Sequence, residues 1–258
     1  MPLPILMYHE VEDGKSSEKR YTVATTDFER QLRHLQESRY ATILLDEHFH
    51  GRTVPGTNRV AITFDDSHLC HYAKSFPLLA EHGLRATFFV VTDFIGQDKR
   101  WLTREHILAM RRGGMSIQSH THTHRFLDTL SESGIREELG TSKALLEDWL
   151  GEEITILSCP GGRYNPAVLE MAATLGYKAV CTSVPGLAST VSRHDAVPML
   201  PRFLMTGNTS FADFERMIRA DKNYVRRKRL GYWAKYLAKR SLGNNMYHHL
   251  WQYLAKKN

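Results

Sequence analysis

Val60-Ala61-Ile62-Thr63-Phe64-Asp65-Asp66 is a run of five residues suited to a pleated, covered surface that ends in two adjacent carboxylates. In parallel α/β architectures, functional groups collect where strands give way to loops. Two like charges at such an end are costly unless a cation or a proton-accepting role answers them. The plain alternative is an Asp pair that caps the following helix.

Working outward, Ile5-Leu6-Met7-Tyr8-His9-Glu10-Val11 reads as a first strand with a histidine near its end. Thr26-Asp27-Phe28-Glu29 has capping-box spacing, and Phe28, Leu32 and Leu35 mark one helical face. Further strands are expected at Thr42–Leu45, Ala86–Val91, Met115–Gln118, Thr155–Ser158, Lys178–Thr182 and Met199–Leu204. Helices are expected at Leu69–His82, Thr103–Arg112, Ser131–Leu150, Pro166–Leu175 and Phe211–Ile218, several ending at glycine. This alternation predicts an α/β fold with a mostly parallel sheet and right-handed crossovers. About seven or eight strands favour a barrel over an open sheet.

The 258 residues suffice for one large α/β domain, with 42% hydrophobic and 24% charged residues. No acidic residue follows Asp221, so the tail carries +10 and the first 221 residues −4 of the net +6. The chain therefore divides into a body over 1–221 and a basic extension over 222–258, and no nucleic-acid-binding core is indicated. Cys70, Cys159 and Cys181 lack metal-finger spacing and fit reduced thiols. With no apolar run of membrane-spanning length and no signal-peptide pattern, a cytoplasmic location is expected, peripheral to the inner face of the membrane if the tail binds there.

Ser119-His120-Thr121-His122-Thr123-His124 follows directly on an expected strand. Imidazoles and a strand-end carboxylate together suit zinc and its neighbours, and three protein ligands leave coordination positions open. A surface loop with adventitious metal affinity is the competing reading.

Thr63-Phe64-Asp65-Asp66 followed by Ser119-His120-Thr121-x-x-His124 resembles the first two motifs of the polysaccharide deacetylase family, the NodB-homology or carbohydrate esterase family 4 domain. Arg85–Val90 and Trp101-Leu102-Thr103 are also similar to family sequence. The resemblance implies a distorted (β/α)7-type barrel that removes N-acetyl groups from sugars with a divalent metal, Zn²⁺ foremost and Co²⁺, Ni²⁺ or Fe²⁺ as alternatives. It further implies Asp65 as general base, Asp66, His120 and His124 as metal ligands, and His122 pointing elsewhere. Met7–Val11 is similar to the opening strand of the circularly permuted poly-N-acetylglucosamine deacetylase subgroup, which implies His9 as general acid and a place in exopolysaccharide biosynthesis.

The chain departs from the family in two places. Ser67 stands where the family has glycine after the Asp pair, which implies either a turn without positive φ or local strain. The third motif, here Ser158-Cys159-Pro160-Gly161-Gly162-Arg163-Tyr164, lacks the arginine that orients the base. Arg202 is the expected substitute, Arg163 a weaker one, and Gly161 a candidate oxyanion donor through its backbone N–H.

The expected partner is an N-acetylated glycan. Alternatives are an amide hydrolase of a formamido sugar or small cyclic amide, and a non-catalytic glycan-binding domain of the same fold. In the tail, two short amphipathic helices separated by Gly243-Asn244-Asn245 would either lie on an anionic membrane or pack on the barrel.

Overall fold

The computed structural model describes residues 2–14, 21–49, 58–188 and 197–237. Parallel strands Leu3–Tyr8, Arg59–Phe64, Thr87–Val90, Ser116–Ser119, Ile156–Ser158, Ala179–Cys181 and Met199–Leu200 lie side by side in chain order. The chain then bends at Pro201-Arg202, and Phe203–Leu204 pairs parallel with Leu3–Tyr8, Leu6 opposite Phe203 and Met7 opposite Leu204. Proline offers no ladder donor, and the Arg202 N–H donates to the Val184 carbonyl at 3.0 Å, so the bend is where regular pairing lapses. The last strand thereby meets the first. The architecture is a mixed α/β, nearly closed barrel of the (β/α)7 type, as the strand count predicts.

Both strand faces are buried, which is why the strands read as continuous apolar runs. Ile5, Ala61, Phe89, Ile156, Ala179, Cys181 and Leu200 form one interior cluster. Their sequence neighbours Leu6, Ile62, Phe64, Phe88, Val90 and Leu157 join a larger cluster with the helices. The two-residue period carries the interior face from Ala61 through Thr63 to Asp65, which brings a carboxylate to the barrel mouth.

Helix Thr25–Glu37 buries Phe28, Leu32 and Leu35. It begins one residue before the expected capping box, with Ala24 as N-cap and no side-chain cap. The expected strand at Thr42–Leu45 is only Ala41–Thr42, after which the chain turns into the short helix Leu45–Phe49 with Asp46 and Glu47 in its first turn. The helix expected over 69–82 opens as a π-helix, His71–Ser75, before the α-helix Phe76–Glu81. Pro77 has no N–H and crowds the preceding turn, a local cause for the wider winding. The first strand, expected over Ile5–Val11, ends at Tyr8; Glu10–Glu12 is a separate short strand that pairs beside the mouth with Thr22–Ala24, which the sequence pattern did not predict.

A helix over 222–237 follows Phe211–Ile218; its first turn buries Tyr224 and packs Val225 against the core. The second tail helix and its Gly243-Asn244-Asn245 break lie outside the described residues. Among the described residues no helix is long and apolar enough to cross a membrane.

Candidate active site

Asp65 leaves the interior face of its strand with its N–H donating to the Tyr8 carbonyl at 3.0 Å, and it is 3% exposed. Arg202 enters the barrel from the closing bend and is wholly buried. Its Nη1 donates to Asp65 Oδ1 and its Nη2 to Oδ2, each at 2.8 Å. Nη2 also donates to Ser158 Oγ at 2.8 Å, and that hydroxyl donates to Asp65 Oδ2 at 3.1 Å. Nε donates to the Thr182 carbonyl at 3.1 Å. A bidentate guanidinium with its remaining donors used is the arrangement in which a buried ion pair is sustained. Burial alone would raise the Asp65 pKa, but the charges of Arg202 and His120 outweigh it and hold the carboxyl below its ordinary range.

Asp66 faces two histidines. His120 Nε2 and His124 Nε2 each lie 3.2 Å from Asp66 Oδ1, and one ligand atom from each of the three residues lies within 4.8 Å of the others. His120 Nδ1 donates to the Ser158 carbonyl at 2.8 Å, which fixes the ring so that Nε2 faces Asp66, as a donor to that carboxylate without a cation and as a ligand once a cation displaces its proton. Burial raises the Asp66 pKa, but hydrogen bonds with His120 and His124 prevail and keep it well below the carboxylate range. This donor set fits a divalent ion, with the ligand types and number that zinc takes in open sites.

The histidine loop is anchored from below. Glu138, buried on the helix Glu132–Leu150, accepts from the backbone N–H of His122 at 3.0 Å and of Thr123 at 2.8 Å, and from the Thr123 hydroxyl. His122 turns away, its Nδ1 at 2.9 Å from Thr92 Oγ1. An adventitious surface loop would not be held this way.

Six described non-glycine residues have positive φ, and four of them, Asp66, Ser67, Thr121 and His124, sit in these two loops. Each such conformation costs on the order of 1–2 kcal/mol, and clustering of this kind marks sites where geometry is held against local preference. The strained alternative for Ser67 is thus the one adopted, at φ 62°. Its hydroxyl accepts from the Val91 N–H at 2.8 Å, a tether that glycine could not provide.

His9 lies just past the first strand, its ring 5.0 Å from that of Tyr21. Burial lowers its pKa, while the charges of Asp65 and Asp66 pull the other way. Its Nδ1 is buried and has no hydrogen-bond partner among the described residues. Beneath it, His71 Nε2 meets the His9 carbonyl at 2.6 Å. Burial pushes the His71 pKa down to about 3, so the ring is neutral and Nε2–H is the donor. From the His71 side, His68 packs against Trp101 at 5.0 Å, and Phe94 bridges from Trp101 at 4.5 Å to His124 at 6.0 Å.

The remaining candidates are placed differently. Gly161 adopts φ 61° in the turn after Ser158, and a Cβ there would come within 2.9 Å of the Phe126 ring. Arg163 is directed away from Asp65: its Nε donates to Asp128 at 3.0 Å and its guanidinium covers Phe126. The chain leaves the glycine turn extended at Arg163, which aims the side chain outward, so the guanidinium on Asp65 is that of Arg202. Sequence reasoning missed Ser158, Glu138 and His71. Each is one polar residue within an otherwise ordinary strand or helix pattern, with no spacing signal of its own.

The sequence profile of the polysaccharide deacetylase family matches residues 53–180. YxkH of Bacillus subtilis (strain 168), named for the same family, is 36% identical over 190 residues, covering 72% of this chain and 66% of that protein. The poly-beta-1,6-N-acetyl-D-glucosamine N-deacetylase of Staphylococcus aureus (strain MRSA252) is 23% identical over 216 residues, 78% of this chain and 72% of that one. The Streptococcus pyogenes deacetylase PplD, solved in complex with acetate, superposes with a TM-score of 0.78 at 28% identity, covering 84% of this chain and 98% of PplD. The chain spans between 44% and 66% of the length of several curated relatives that it matches. This chain belongs to the polysaccharide deacetylase family, the NodB-homology domains of carbohydrate esterase family 4.

Proposed function

We propose that this chain is a divalent-metal-dependent de-N-acetylase that cleaves the acetamido group of an N-acetylated amino sugar in a glycan of the poly-N-acetylglucosamine class. The observation that carries the reading is the division of labour between two adjacent carboxylates. Asp66 shares a three-ligand set with His120 and His124, while Asp65 is clamped separately by Arg202.

Asp66, His120 and His124 would hold the ion, with Zn²⁺ favoured by the donor set over Co²⁺, Ni²⁺ or Fe²⁺. When bound, it supplies Lewis acidity and brings water at the site towards a pKa near 7. Asp65 matches such water. Held ionised by Arg202, it is too weak a base for bulk water, whose pKa is about 15.7, but suits water already acidified. Asp65 accepts the proton as oxygen adds to the amide carbonyl, and Arg202 with Ser158 keeps the carboxylate in one orientation. The Gly161 N–H donates to the carbonyl oxygen as it becomes negative, from a turn whose φ of 61° and closeness to Phe126 call for glycine.

An amide expels its amine only once the nitrogen is protonated. His9 supplies that proton from a ring whose burial makes its conjugate acid strong, with Asp65 and Asp66 favouring the protonated form. The C–N bond then breaks to give a free amine and acetate. His9 at the end of the first strand is also what supports placement in the permuted subgroup and a role in exopolysaccharide biosynthesis.

The test is acetate release from β-1,6-linked N-acetylglucosamine oligomers and chitooligosaccharides by metal-loaded and chelated protein. Acetate and free amine are expected in equal amounts, only with metal. Formate from a formamido sugar, with no acetate from any oligomer, would reassign the acyl group. Glycan binding by metal-loaded protein with no acyl release would refute the enzyme reading.

A further inference from the structure

Among the described residues, six large apolar side chains are exposed, and four of them, Leu230, Trp233, Tyr236 and Leu237, lie on the helix over 222–237. The described contacts between that helix and the body lie at its start. Tyr224 is buried, Val225 packs against the core, and Lys228 Nζ reaches Asp213 Oδ2 at 3.7 Å. Beyond that point Leu230 is 62% and Leu237 58% exposed. Leu230, Trp233 and Leu237 stand at i, i+3 and i+7, one face of a helix, with Tyr236 at its border; Lys222 and Arg226 continue that face towards the N-terminal end, Arg227 and Arg229 lie at its borders, and Lys228 and Lys235 lie on the opposite side.

The charge on this helix is one-sided. It contains Lys222, Arg226, Arg227, Lys228, Arg229 and Lys235 and no acidic residue. The sequence beyond it adds Lys239, Arg240, Lys256 and Lys257, again with no acid. An exposed aromatic and aliphatic stripe flanked by Lys and Arg matches an interfacial helix, whose apolar face enters the headgroup–acyl boundary while its cations meet anionic headgroups.

We propose that the helix over 222–237 is a docking element for an anionic lipid bilayer surface. Self-association through the same stripe would bring two strongly basic helices together, which like-charge repulsion opposes. Nucleic acid would use the cations and stack on Trp233 and Tyr236 but leave the aliphatic Leu230 and Leu237 without a partner. The body over 1–221 carries −4 and is itself repelled by an anionic surface, so contact is confined to the helix and the barrel is held off the bilayer. This inference does not depend on the proposed reaction.

The experiment is co-sedimentation of the full chain with phosphatidylcholine vesicles containing one quarter phosphatidylglycerol, against pure phosphatidylcholine, at about 0.1 and 0.5 M salt. Binding is expected to the anionic vesicles and to fall at least tenfold at high salt. The triple substitution Leu230→Ser, Trp233→Ser and Leu237→Ser is expected to lower it at least tenfold while the circular dichroism melt of the barrel is retained. The triple substitution Arg226→Gln, Arg227→Gln and Arg229→Gln should lower anionic binding alone. Equal sedimentation with both vesicle types, or binding indifferent to the apolar substitutions, overturns the proposal. So does absence of vesicle binding together with a concentration-dependent dimer that the serine substitutions abolish, or with tight binding to single-stranded RNA.

Discussion

Replacing Arg202 with methionine removes the only cation that, among the described residues, is in direct hydrogen-bonded contact with the buried Asp65 carboxylate. The guanidinium is 0% exposed and donates to both carboxylate oxygens at 2.8 Å, so the variant leaves an uncompensated charge beside a Ser158 hydroxyl. Breaking a buried pair by removing one partner costs about 3–5 kcal/mol, and urea unfolding should show a loss of that size. Arg202→Lys keeps the charge but not the fork, and should fall between wild type and methionine. Asp65→Asn added to Arg202→Met removes the stranded charge and should recover much of the loss, giving a coupling of about 1–3 kcal/mol. Activity responds with a definite sign. Burial continues to raise the Asp65 pKa once the arginine charge is gone, so the carboxylate becomes protonated at higher pH. The acid limb of kcat/KM should therefore move to higher pH. A loss below about 1 kcal/mol, strict additivity in the double variant, or an unmoved acid limb would each refute the clamp as described.

Three further outcomes separate the roles of the neighbouring residues. Asp66→Ala or His120→Ala is expected to abolish stoichiometric zinc in elemental analysis of purified protein, whereas Asp65→Asn retains it while losing activity. His9→Ala should keep its metal but lose about 10²–10⁴-fold in amide hydrolysis, with a much smaller loss on an acetate ester whose leaving group needs no proton. His71 binds its proton in the folded state only near pH 3, against 6.5 when unfolded. The unfolded chain therefore binds the extra proton between those values, so stability falls as pH drops from 6.5 towards 3, by up to about 1.4 kcal/mol per pH unit. His71→Gln can still donate to the His9 carbonyl but does not titrate, and should flatten that slope in urea titrations between pH 4 and 6.5; identical slopes would exonerate His71.

The parts of this site visible in the sequence are those where chemistry is compressed into a few adjacent positions. Asp65-Asp66 after an apolar strand, and three histidines at alternate positions after another, need no tertiary information to stand out. The strand count likewise predicts closure, because each strand is buried on both faces and reads as an apolar run. Ser158, Glu138 and His71 are silent for the opposite reason. Each acts through a partner 15 to 93 positions away, and no local pattern encodes such a pairing. Ser67 illustrates a different limit. The residue type announced a departure from glycine, yet its left-handed backbone became intelligible only with the hydroxyl tether to Val91 in view. The π-helical turn at His71–Ser75 was hidden as well, since α and π winding share the same apolar spacing over so short a span.

The bend at Pro201-Arg202 ties the order of synthesis to competence. Asp65 and its arginine are 137 positions apart, and the arginine arrives on the segment that seals the sheet against its first strand. A chain emerging from the ribosome holds its ligand triad long before it holds the group that keeps Asp65 ionised and oriented. The closing strand thus acts as a late assembly checkpoint, and an ionised, oriented Asp65 reports completion of the barrel rather than presence of Asp66, His120 and His124.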